Sequence, residues 1–401
     1  MPENSSCSSA GSCTKSSCEG CPSHNGGPQS FLVEQNKFSN IKHVIGVVSG
    51  KGGVGKSFVT SSLAVNMAKK GYKVGILDAD ITGPSIPKMY GLKGPANVDD
   101  KGVYPAVAAN GVKVMGIKRG YAGLLDEEIV EMDTLSVSNI IQLGGTILYT
   151  ARCKEFREKE YQEKAAEICR KHGIDGIVVI GGDGSFQGAS KLAELGINTV
   201  GVPGTIDLDI ACTEYTIGFD TAINTAMEAM DKLRDTSESH ERCSIVEVMG
   251  RTAGHIALWT GIASGAEYIL TTEEYDGNIQ KIIEKIQQRH KIGKKNHVIV
   301  NAEGVGNSYE MAKIIEAATG VETRATVLGH IQRGGNPTCK DRVYASAMGA
   351  KAVELLCEGK TNRVVGYTNG EFVDYDIQAA LAMEKGLDPY LFHITRKLTT
   401  Y

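Results

Sequence analysis

From residue 43 onward, short apolar runs alternate with segments in which apolar residues recur every three or four positions. The runs are typical of buried strands and the segments of amphipathic helices, so their alternation indicates βαβ units. Strands are predicted at residues 43–49, 73–78, 112–117, 176–180, 243–249 and 297–301, and a helix at 58–70. The chain is therefore expected to adopt a three-layer α/β fold, with a parallel sheet between two layers of helices.

Two stretches interrupt this pattern. Residues 1–40 consist largely of Ser, Gly, Asn, Pro and Cys and offer little to bury, which is typical of a disordered tail. Residues 82–111 are rich in Gly, Pro, Asn and Asp and lack sustained periodicity, which indicates a boundary. We therefore expect a tail at 1–40, a small segment at 41–115 and a larger region at 116–401.

Composition narrows the class of protein. Forty-three Lys and Arg against 47 Asp and Glu give a net charge of −4, so bulk attraction to nucleic acid or anionic lipid is not expected. No apolar run approaches the roughly 18 residues of a membrane helix, and the polar first thirty residues do not resemble a secretory signal. Glycine contributes 48 residues, which favours loops that approach a ligand closely. We expect a cytoplasmic protein with a local anion site and no nucleic-acid or membrane partner.

The segment GKGGVGKS lies between the first predicted strand and the first predicted helix. It satisfies the phosphate-binding pattern G-x-x-x-x-G-K-[S/T] in the strand-to-helix context that makes the pattern credible. Backbone N–H groups and the positive helix end would hold phosphates, Lys56 would add a charge, and the Ser57 hydroxyl would ligate Mg²⁺. The predicted nucleotide-binding residues here are Gly50, Lys51, Gly52, Gly53, Val54, Gly55, Lys56 and Ser57.

Lys51, together with the segment KVGILDADITGPSIP at 73–87, resembles the deviant P-loop ATPases of the Mrp and MinD type, within them the iron–sulfur carrier branch. That resemblance covers about residues 1–115. It implies a thiolate site for a [4Fe–4S] cluster or zinc, formed by Cys7, Cys13, Cys18 and Cys21. A solvated, redox-sensitive tail is the alternative. Because the family's Asp-x-Pro-Pro segment and later paired cysteines have no counterpart downstream, the ATPase is only partial.

Two strand-end loops carry acidic residues in the larger region. In GIVVIGGDGS at 176–185, glycines allow the backbone to approach a polyphosphate, and Asp183 is placed to hold Mg²⁺. In PGTIDLD at 203–209, two acids stand two residues apart, suited to a general base and an organiser of the metal, or to a capped turn. These loops are therefore candidate sites for phosphoryl transfer.

Basic residues also fall on predicted loops. They occur in the segments SHERC, MGR, ETRAT and GHIQRGG. Converging arginines suit the bidentate capture of a sugar phosphate, whereas scattered ones are usually solvated. The candidates are Arg242, Arg251, Arg324, His330 and Arg333.

Taken together, these segments resemble one family. From Lys113 to the C-terminus, the blocks RGYAGL, GGDGS, PGTID, TIGFDTA, VEVMGR and RATVLGHIQRGG are similar, in order, to bacterial ATP-dependent 6-phosphofructokinases. The resemblance implies a phosphofructokinase-type α/β fold preceded by a partial P-loop NTPase segment. It also implies the glycolytic phosphorylation of fructose 6-phosphate by ATP with Mg²⁺, in a homotetramer with shared active sites.

The resemblance assigns roles to individual residues. Asp207 would be the base that takes the proton of the sugar 1-hydroxyl, beside Thr205 and Arg251, and Asp183 would be the metal ligand. The implied substrate-binding residues are Thr205, Ile206, Asp207, Arg242, Met249, Gly250, Arg251, Glu303, Arg324, His330, Ile331, Gln332 and Arg333, with Arg242 and Arg324 supplied by a neighbouring subunit. The implied nucleotide-binding residues are Arg152, Cys153, Gly182, Asp183, Gly184 and Ser185.

The same resemblance indicates the phosphoryl donor and the remnants of an effector site. Pyrophosphate-using relatives place Asp at the position of Gly184 and Lys at that of Gly204, so two glycines favour ATP. Remnants of an effector site are Arg234, Glu267, Lys294 and Lys295.

The chain departs from the family at two places. Leu208 stands where the commoner pattern has Asn, and the family's opening strand, Gly-Gly-Asp loop and helix are replaced by the Mrp-like segment. Three hypotheses remain: a kinase with an exchanged amino end, which the complete set of base, metal and substrate positions favours; a carrier ATPase with a kinase-derived passenger; and an inactive chimera of the two.

Overall fold

The computed structural model describes residues 113–133 and 135–398, together with residues 63–64, 67–68, 70, 74, 97–99 and 102–104. The chain divides into two units, Met1–Val112 and Lys113–Tyr401.

In the first unit, residues 63–64 and 67–68 are helical, within the helix predicted at 58–70. The strand predicted at 43–49 lies outside the described residues, as does 73–78 apart from Val74, which belongs to no helix or strand. Strands β1 (Asn97–Asp99) and β2 (Gly102–Tyr104) form an antiparallel hairpin. These strands lie within residues 82–111, where the sequence shows no sustained periodicity, because strands of three residues are too short to show it.

The second unit contains ten further strands and ten α-helices among its described residues. The strands are β3 (Val114–Ile117), β4 (Ile129–Met132), β5 (Gly176–Gly181), β6 (Asn198–Pro203), β7 (Cys243–Val248), β8 (Tyr268–Leu270), β9 (His297–Ala302), β10 (Thr323–Val327), β11 (Arg363–Thr368) and β12 (Glu371–Asp376). The helices are α1 (Gly120–Leu125), α2 (Lys159–Lys171), α3 (Asp183–Glu194), α4 (Phe219–Ser239), α5 (His255–Ala263), α6 (Ile279–Lys291), α7 (Ser308–Thr319), α8 (Cys339–Cys357), α9 (Ile377–Leu381) and α10 (Pro389–Leu398). Short 3₁₀ turns lie at Glu155–Arg157 and Gly329–Arg333.

Two four-stranded sheets carry the architecture of this unit. One has the order β12-β11-β6-β5 and the other β10-β7-β9-β8. All neighbouring strands are parallel except β11 and β12, which form an antiparallel edge, and β3 and β4 form a separate antiparallel pair. The α/β prediction is confirmed, with two parallel-stranded sheets rather than one.

Each sheet buries both faces. Along β7, Val246 and Val248 pack against α4 and α5, whereas Cys243 and Ile245 pack against α6 and α7, as the alternation of side chains in a strand requires. The other sheet packs on α3 and α9 through one face and on α8 through the other. This burial on two sides explains why the strands are near-continuous apolar runs.

Among the described residues, no helix is both long enough and apolar enough to cross a membrane.

Candidate active site

The candidate residues lie where strands of both sheets end. Asp183 follows β5, Asp207 follows β6, and Arg251 and Glu303 follow β7 and β9. The carboxyl ends of parallel strands are the usual location of ligand sites in open α/β sheets. The fold therefore collects acidic and basic groups from two sheets into one region.

Asp207 and Arg251 form the central ion pair. The Nε atom of Arg251 lies 3.3 Å from Oδ2 of Asp207, whose side chain is only 5% exposed. Burial raises the pKa of Asp207, the neighbouring Asp209 raises it further, and Arg251 lowers it. More weakly, Glu303 raises and Arg333 lowers the same pKa. A buried carboxylate of raised pKa beside one cation is a chemically suitable proton acceptor.

Glu303 holds the backbone of the loop that carries Arg251. Oε1 of Glu303 accepts hydrogen bonds from the backbone N–H groups of Gly250, at 3.2 Å, and Arg251, at 2.6 Å. Gly250 has φ +142°, and a Cβ there would lie 2.5 Å from the backbone oxygen of Ala253, so only glycine fits. Glu303 thus acts on the site by holding backbone, which leaves the Arg251 side chain, 67% exposed, facing outward.

Gln332 has a similar supporting position. Its side chain is fully buried, and its Oε1 accepts a hydrogen bond of 2.8 Å from the N–H of Met249. The adjacent His330, Ile331 and Arg333 are exposed on the 3₁₀ turn after β10. Of the predicted GHIQR residues, these three reach the surface and Gln332 holds the loop.

An open space, here called the cradle, lies beside the first turn of α3. Gly182 is the residue before the helix, and its neighbour Asp183 is in the first turn. A Cβ on Gly184 would meet nothing within 4 Å, so the space beside this turn is open. The free N–H groups of a helix start attract anions. The sequence prediction for Gly182 to Ser185 is chemically consistent with this geometry.

Three carboxylates, Asp183, Asp207 and Asp209, interact in this region. Loss of water raises the pKa of Asp183, Asp209 raises it further, and Arg251 lowers it. Oδ1 of Asp209 is buried and has no hydrogen-bond partner in the part of the chain that the structure describes. In that same part, no three His, Cys, Asp or Glu side chains are arranged to hold a metal ion together. Magnesium needs only one or two carboxylates when phosphate oxygens complete its shell, so Asp183 fits it.

Thr205 and Ile206 complete the acidic loop. The Thr205 hydroxyl accepts a hydrogen bond of 3.2 Å from the N–H of Asp207, and Ile206 packs on the core. Leu208, between the two acids, has φ +56° and is buried. Asparagine adopts this left-handed conformation more readily than leucine does, which explains why Asn is the commoner residue here.

Arg242 and Arg324 do not join this group. They lie on neighbouring strands at the amino ends of β7 and β10, and both pair with Glu322, at 2.9 and 2.6 Å. The six residues of β7 separate Arg242 from Met249 by about 20 Å. These two arginines therefore lie at the amino ends of β7 and β10, whereas Arg251, the partner of Asp207, follows the carboxyl end of β7.

The remaining candidates are dispersed. Arg152 is exposed, and the Cys153 thiol is half-buried, 3.6 Å from Glu155. Among the effector remnants, Glu267 pairs with Lys294 and accepts an N–H bond from Val298, Lys295 pairs with Glu241, and Arg234 donates to the carbonyls of Ser264 and Gly265. The residues 50–57 and the four N-terminal cysteines lie outside the described residues.

Two groups that support the site were missed by the sequence reasoning. Asp341 is buried and accepts hydrogen bonds from Tyr215, the Gly218 N–H and Thr221, so it fixes the start of α4. The sequence does contain a helix-start pattern, Thr338-x-x-Asp341, at the beginning of α8. That pattern does not show that Asp341 also contacts the start of α4. The second group is Lys385, which donates hydrogen bonds to the backbone carbonyls of Ile210 and Thr213, shortly after Asp209. No sequence motif surrounds Lys385 that would have indicated this role.

Comparison with known proteins identifies two matching families. A family model described as phosphofructokinase matches residues 97–356, and one described as NUBPL iron-transfer P-loop NTPase matches residues 40–143. The second match extends past the boundary predicted near 115 and overlaps the first.

Curated relatives and solved structures match the larger region. An ATP-dependent 6-phosphofructokinase of Clostridium botulinum (strain Loch Maree / Type A3) is 61% identical over 289 residues, 72% of this chain and 90% of that protein. ATP-dependent 6-phosphofructokinase 1 of Clostridium perfringens (strain 13 / Type A) is 56% identical over 290 residues, again 72% of this chain and 90% of that protein. The structure of phosphofructokinase from Saccharomyces cerevisiae is similar with a TM-score of 0.63 and 29% identity, covering 68% of this chain and 41% of the yeast chain.

The fold and the site define a phosphoryl-transfer type of α/β protein, with acids and arginines at the carboxyl ends of two parallel-stranded sheets. The chain belongs to the phosphofructokinase family.

Proposed function

We propose that this chain is an ATP-dependent 6-phosphofructokinase of glycolysis, which transfers the γ-phosphoryl group of ATP to the 1-hydroxyl of fructose 6-phosphate. The observation that carries the proposal is the buried Asp207 paired with Arg251 beside the open helix start at Asp183. Curated relatives of that name at 56–61% identity support the choice of reaction and of ATP.

In the proposed reaction, the Asp207 carboxylate takes the proton of the 1-hydroxyl while that oxygen forms a bond to the γ-phosphorus. The bond from this phosphorus to the bridging oxygen breaks, and ADP leaves with the electron pair. Arg251 lies beside the developing negative charge, and the N–H groups at the start of α3 hold the phosphates. Mg²⁺, held by Asp183 and phosphate oxygens, would neutralise phosphate charge.

Fructose 6-phosphate would bind across the exposed basic residues. His330 and Arg333 on the 3₁₀ turn, with Arg251, face outward from the region of Asp207. Arg242 and Arg324 lie at the opposite sheet edge, which supports their supply to a neighbouring subunit's site. The functional unit proposed is therefore a cytoplasmic homo-oligomer, in this family a tetramer, with shared sites.

A coupled assay of ADP formation tests the proposal. The purified chain should form ADP only when fructose 6-phosphate and ATP are both present. Asp207→Ser should lower kcat ~10²- to 10⁴-fold, because loss of a general base has that effect, whereas Asp231→Ser on the exposed side of α4 should not. A loss of less than tenfold would remove Asp207 from the base role.

A second candidate function concerns the amino-terminal segment alone. The match to iron-transfer P-loop NTPases over 40–143 favours nucleotide binding at residues 50–57. The family's description also supports an iron–sulfur cluster or zinc at Cys7, Cys13, Cys18 and Cys21, which precede the matched residues. This reading makes the segment a partial carrier ATPase attached to a kinase. Iron content after anaerobic reconstitution, compared between the chain and a variant with all four cysteines replaced by Ser, tests the metal site.

Lys56→Ala tests how the two parts are related. The substitution should weaken nucleotide binding at 50–57 by ~1.5 to 3 kcal/mol, the range for a hydrogen bond to a charged group. We expect sugar-dependent turnover to be unchanged, with only sugar-independent binding or hydrolysis of ATP reduced. A tenfold fall in sugar-dependent turnover of a folded protein would instead mean that this loop replaces the kinase loop.

A further inference from the structure

Lys385 lies in the segment 382–388, which connects α9 to α10. Helix α9 packs on α3 and on β11 and β12 of one sheet, whereas α10 packs on α5, which covers the other sheet. The segment therefore crosses between the two layered halves of this unit, next to the region where their strands end.

The Lys385 ammonium binds the backbone that follows the acidic loop. Its Nζ donates hydrogen bonds to the carbonyl oxygens of Ile210, at 3.2 Å, and Thr213, at 2.7 Å. Residues 204–218 contain no helix or strand, so their carbonyls need partners from elsewhere. Ile210 and Thr213 also have buried side chains. One ammonium thus ties a stretch of irregular backbone to the C-terminal crossing segment.

The charges around Lys385 place it beside the acidic cluster. Burial lowers its pKa to about 8, against the opposing effects of Asp209, Cys212 and Glu214. On α5, His255 has its pKa lowered by burial and by Lys385, and raised by Glu273 and Asp209. Asp209 in turn raises the pKa of both Asp183 and Asp207. Lys385 therefore lies in the electrostatic neighbourhood of Asp209, which in turn acts on the two acids proposed to take part in the reaction.

We propose that Lys385 is a positioning residue for phosphoryl transfer, whose charged ammonium holds the loop from Thr205 to Thr213 in place. This inference rests on the proposed kinase function and assigns a role to the C-terminal segment within it. Lys385 acts through Asp207 and Asp209 and touches no reacting atom. A loop that loses this tie would move Asp207, and a displacement of about 1 Å lowers rates by up to ~10²-fold.

Two variants and a control separate the roles. Lys385→Met removes the charge and both hydrogen bonds but keeps an apolar stem, and Lys385→Arg keeps a charge that does not titrate below the pKa of arginine. The control is Lys159→Met, since Lys159 at the start of α2 is 81% exposed. Steady-state kinetics should show kcat of Lys385→Met lowered by at least ~10-fold, with KM for fructose 6-phosphate within about twofold. Lys385→Arg should restore most of kcat.

The dependence of kcat on pH tests whether the positive charge of Lys385 matters in addition to its contacts with the loop. In the unmodified protein, kcat should fall as the pH rises through about 8, because the ammonium then loses its proton. In Lys385→Arg this alkaline limb should disappear. A limb unchanged in Lys385→Arg would overturn the charge role, and an unchanged kcat in Lys385→Met would overturn the positioning role.

Hydrogen exchange read by mass spectrometry gives a result that does not need activity. Amides of residues 206–216 should lose protection in Lys385→Met and keep it in Lys159→Met. Unchanged protection in a folded Lys385→Met protein overturns the inference. If protection is lost while the unmodified chain shows no sugar-dependent turnover, the proposed function fails and the tie to the loop stands.

Discussion

Arg251 reaches Asp207 with its Nε, 3.3 Å from Oδ2, while two-thirds of its own side chain stays exposed. One end of this arginine is therefore committed to a buried carboxylate, and the remaining guanidinium N–H groups face the open side of the site. The pairing places a single cation between the proposed base and the position of an incoming anionic substrate.

Asp207→Asn should raise the stability of the folded chain. Burial raises the folded-state pKa of Asp207, so the folded state binds the proton more tightly than the unfolded chain. The contribution of Asp207 to folding is then most favourable at acid pH and is lost as the pH rises through the raised pKa. Melting temperatures should show Asp207→Asn above the unmodified protein at neutral pH, with a smaller difference in acid. The control Asp231→Asn, at an exposed position of α4, should show no such gain; an equal gain there would refute the assignment.

The acid limb of the pH–rate profile should shift when Arg251 is replaced. Activity should fall as the pH drops through the raised pKa of Asp207, because the base must be deprotonated. Arg251 lowers that pKa, so Arg251→Met should move the limb to higher pH in addition to weakening substrate binding. Arg333→Met should move it in the same direction by less. A limb that moves to lower pH in either variant contradicts the electrostatic argument.

Leu208→Asn should lower the free energy of unfolding although it restores the commoner residue. The left-handed backbone at φ +56° disfavours leucine by roughly 1–2 kcal/mol, which asparagine would partly recover. The leucine side chain, however, packs with Phe219, Val248 and Ala257 in the core, and losing such a buried chain destabilises by about 2–5 kcal/mol. The packing loss outweighs the partial relief of about 1 kcal/mol, so urea unfolding should show a net loss of about 1–4 kcal/mol. An increase in stability would mean that backbone strain dominates.

Gly184→Asp should impair the use of ATP without harming the fold. A Cβ at Gly184 meets nothing within 4 Å, so the new carboxylate would lie in the open cradle and repel phosphates. KM for ATP should rise at least ~10-fold, whereas Gly184→Ala should stay close to the unmodified protein. Gly204→Lys should also impair ATP use, and it should lower the melting temperature, because its Cβ would lie 2.9 Å from Cγ2 of Ile180. Comparable turnover of the unmodified protein with pyrophosphate would contradict the role of both glycines.

Local patterning was sufficient for the strands that form the site. The strand predicted at 176–180 is observed at Gly176–Gly181, and the one at 243–249 at Cys243–Val248. These strands are buried on both faces, so a continuous apolar run marks them. The hairpin of β1 and β2 escaped because each strand spans three residues, less than two periods of alternation.

The sequence could name candidate residues without placing them. Residue type alone groups Arg242 with Arg251, whereas the resemblance assigns Arg242 to a neighbouring subunit's site. The strand between them puts the two arginines at its opposite ends. The resemblance implies Glu303 and Gln332 at the substrate, and in the structure one Oε1 atom of each accepts hydrogen bonds from backbone N–H groups. A side chain that serves the backbone and one that faces a ligand have the same signature in a sequence, and only the fold separates them.

The separation of Arg242 and Arg324 from Asp207 has a consequence for how activity depends on assembly. In the proposed arrangement, each chain carries two different parts of a site. The acids and Arg251 lie at the carboxyl ends of its strands, and the Glu322-linked arginines lie at the amino ends of β7 and β10. A single folded chain would then contain no complete site. Turnover per chain would therefore depend on protein concentration. Dilution below the concentration at which the oligomer assembles would abolish activity while the chains stay folded.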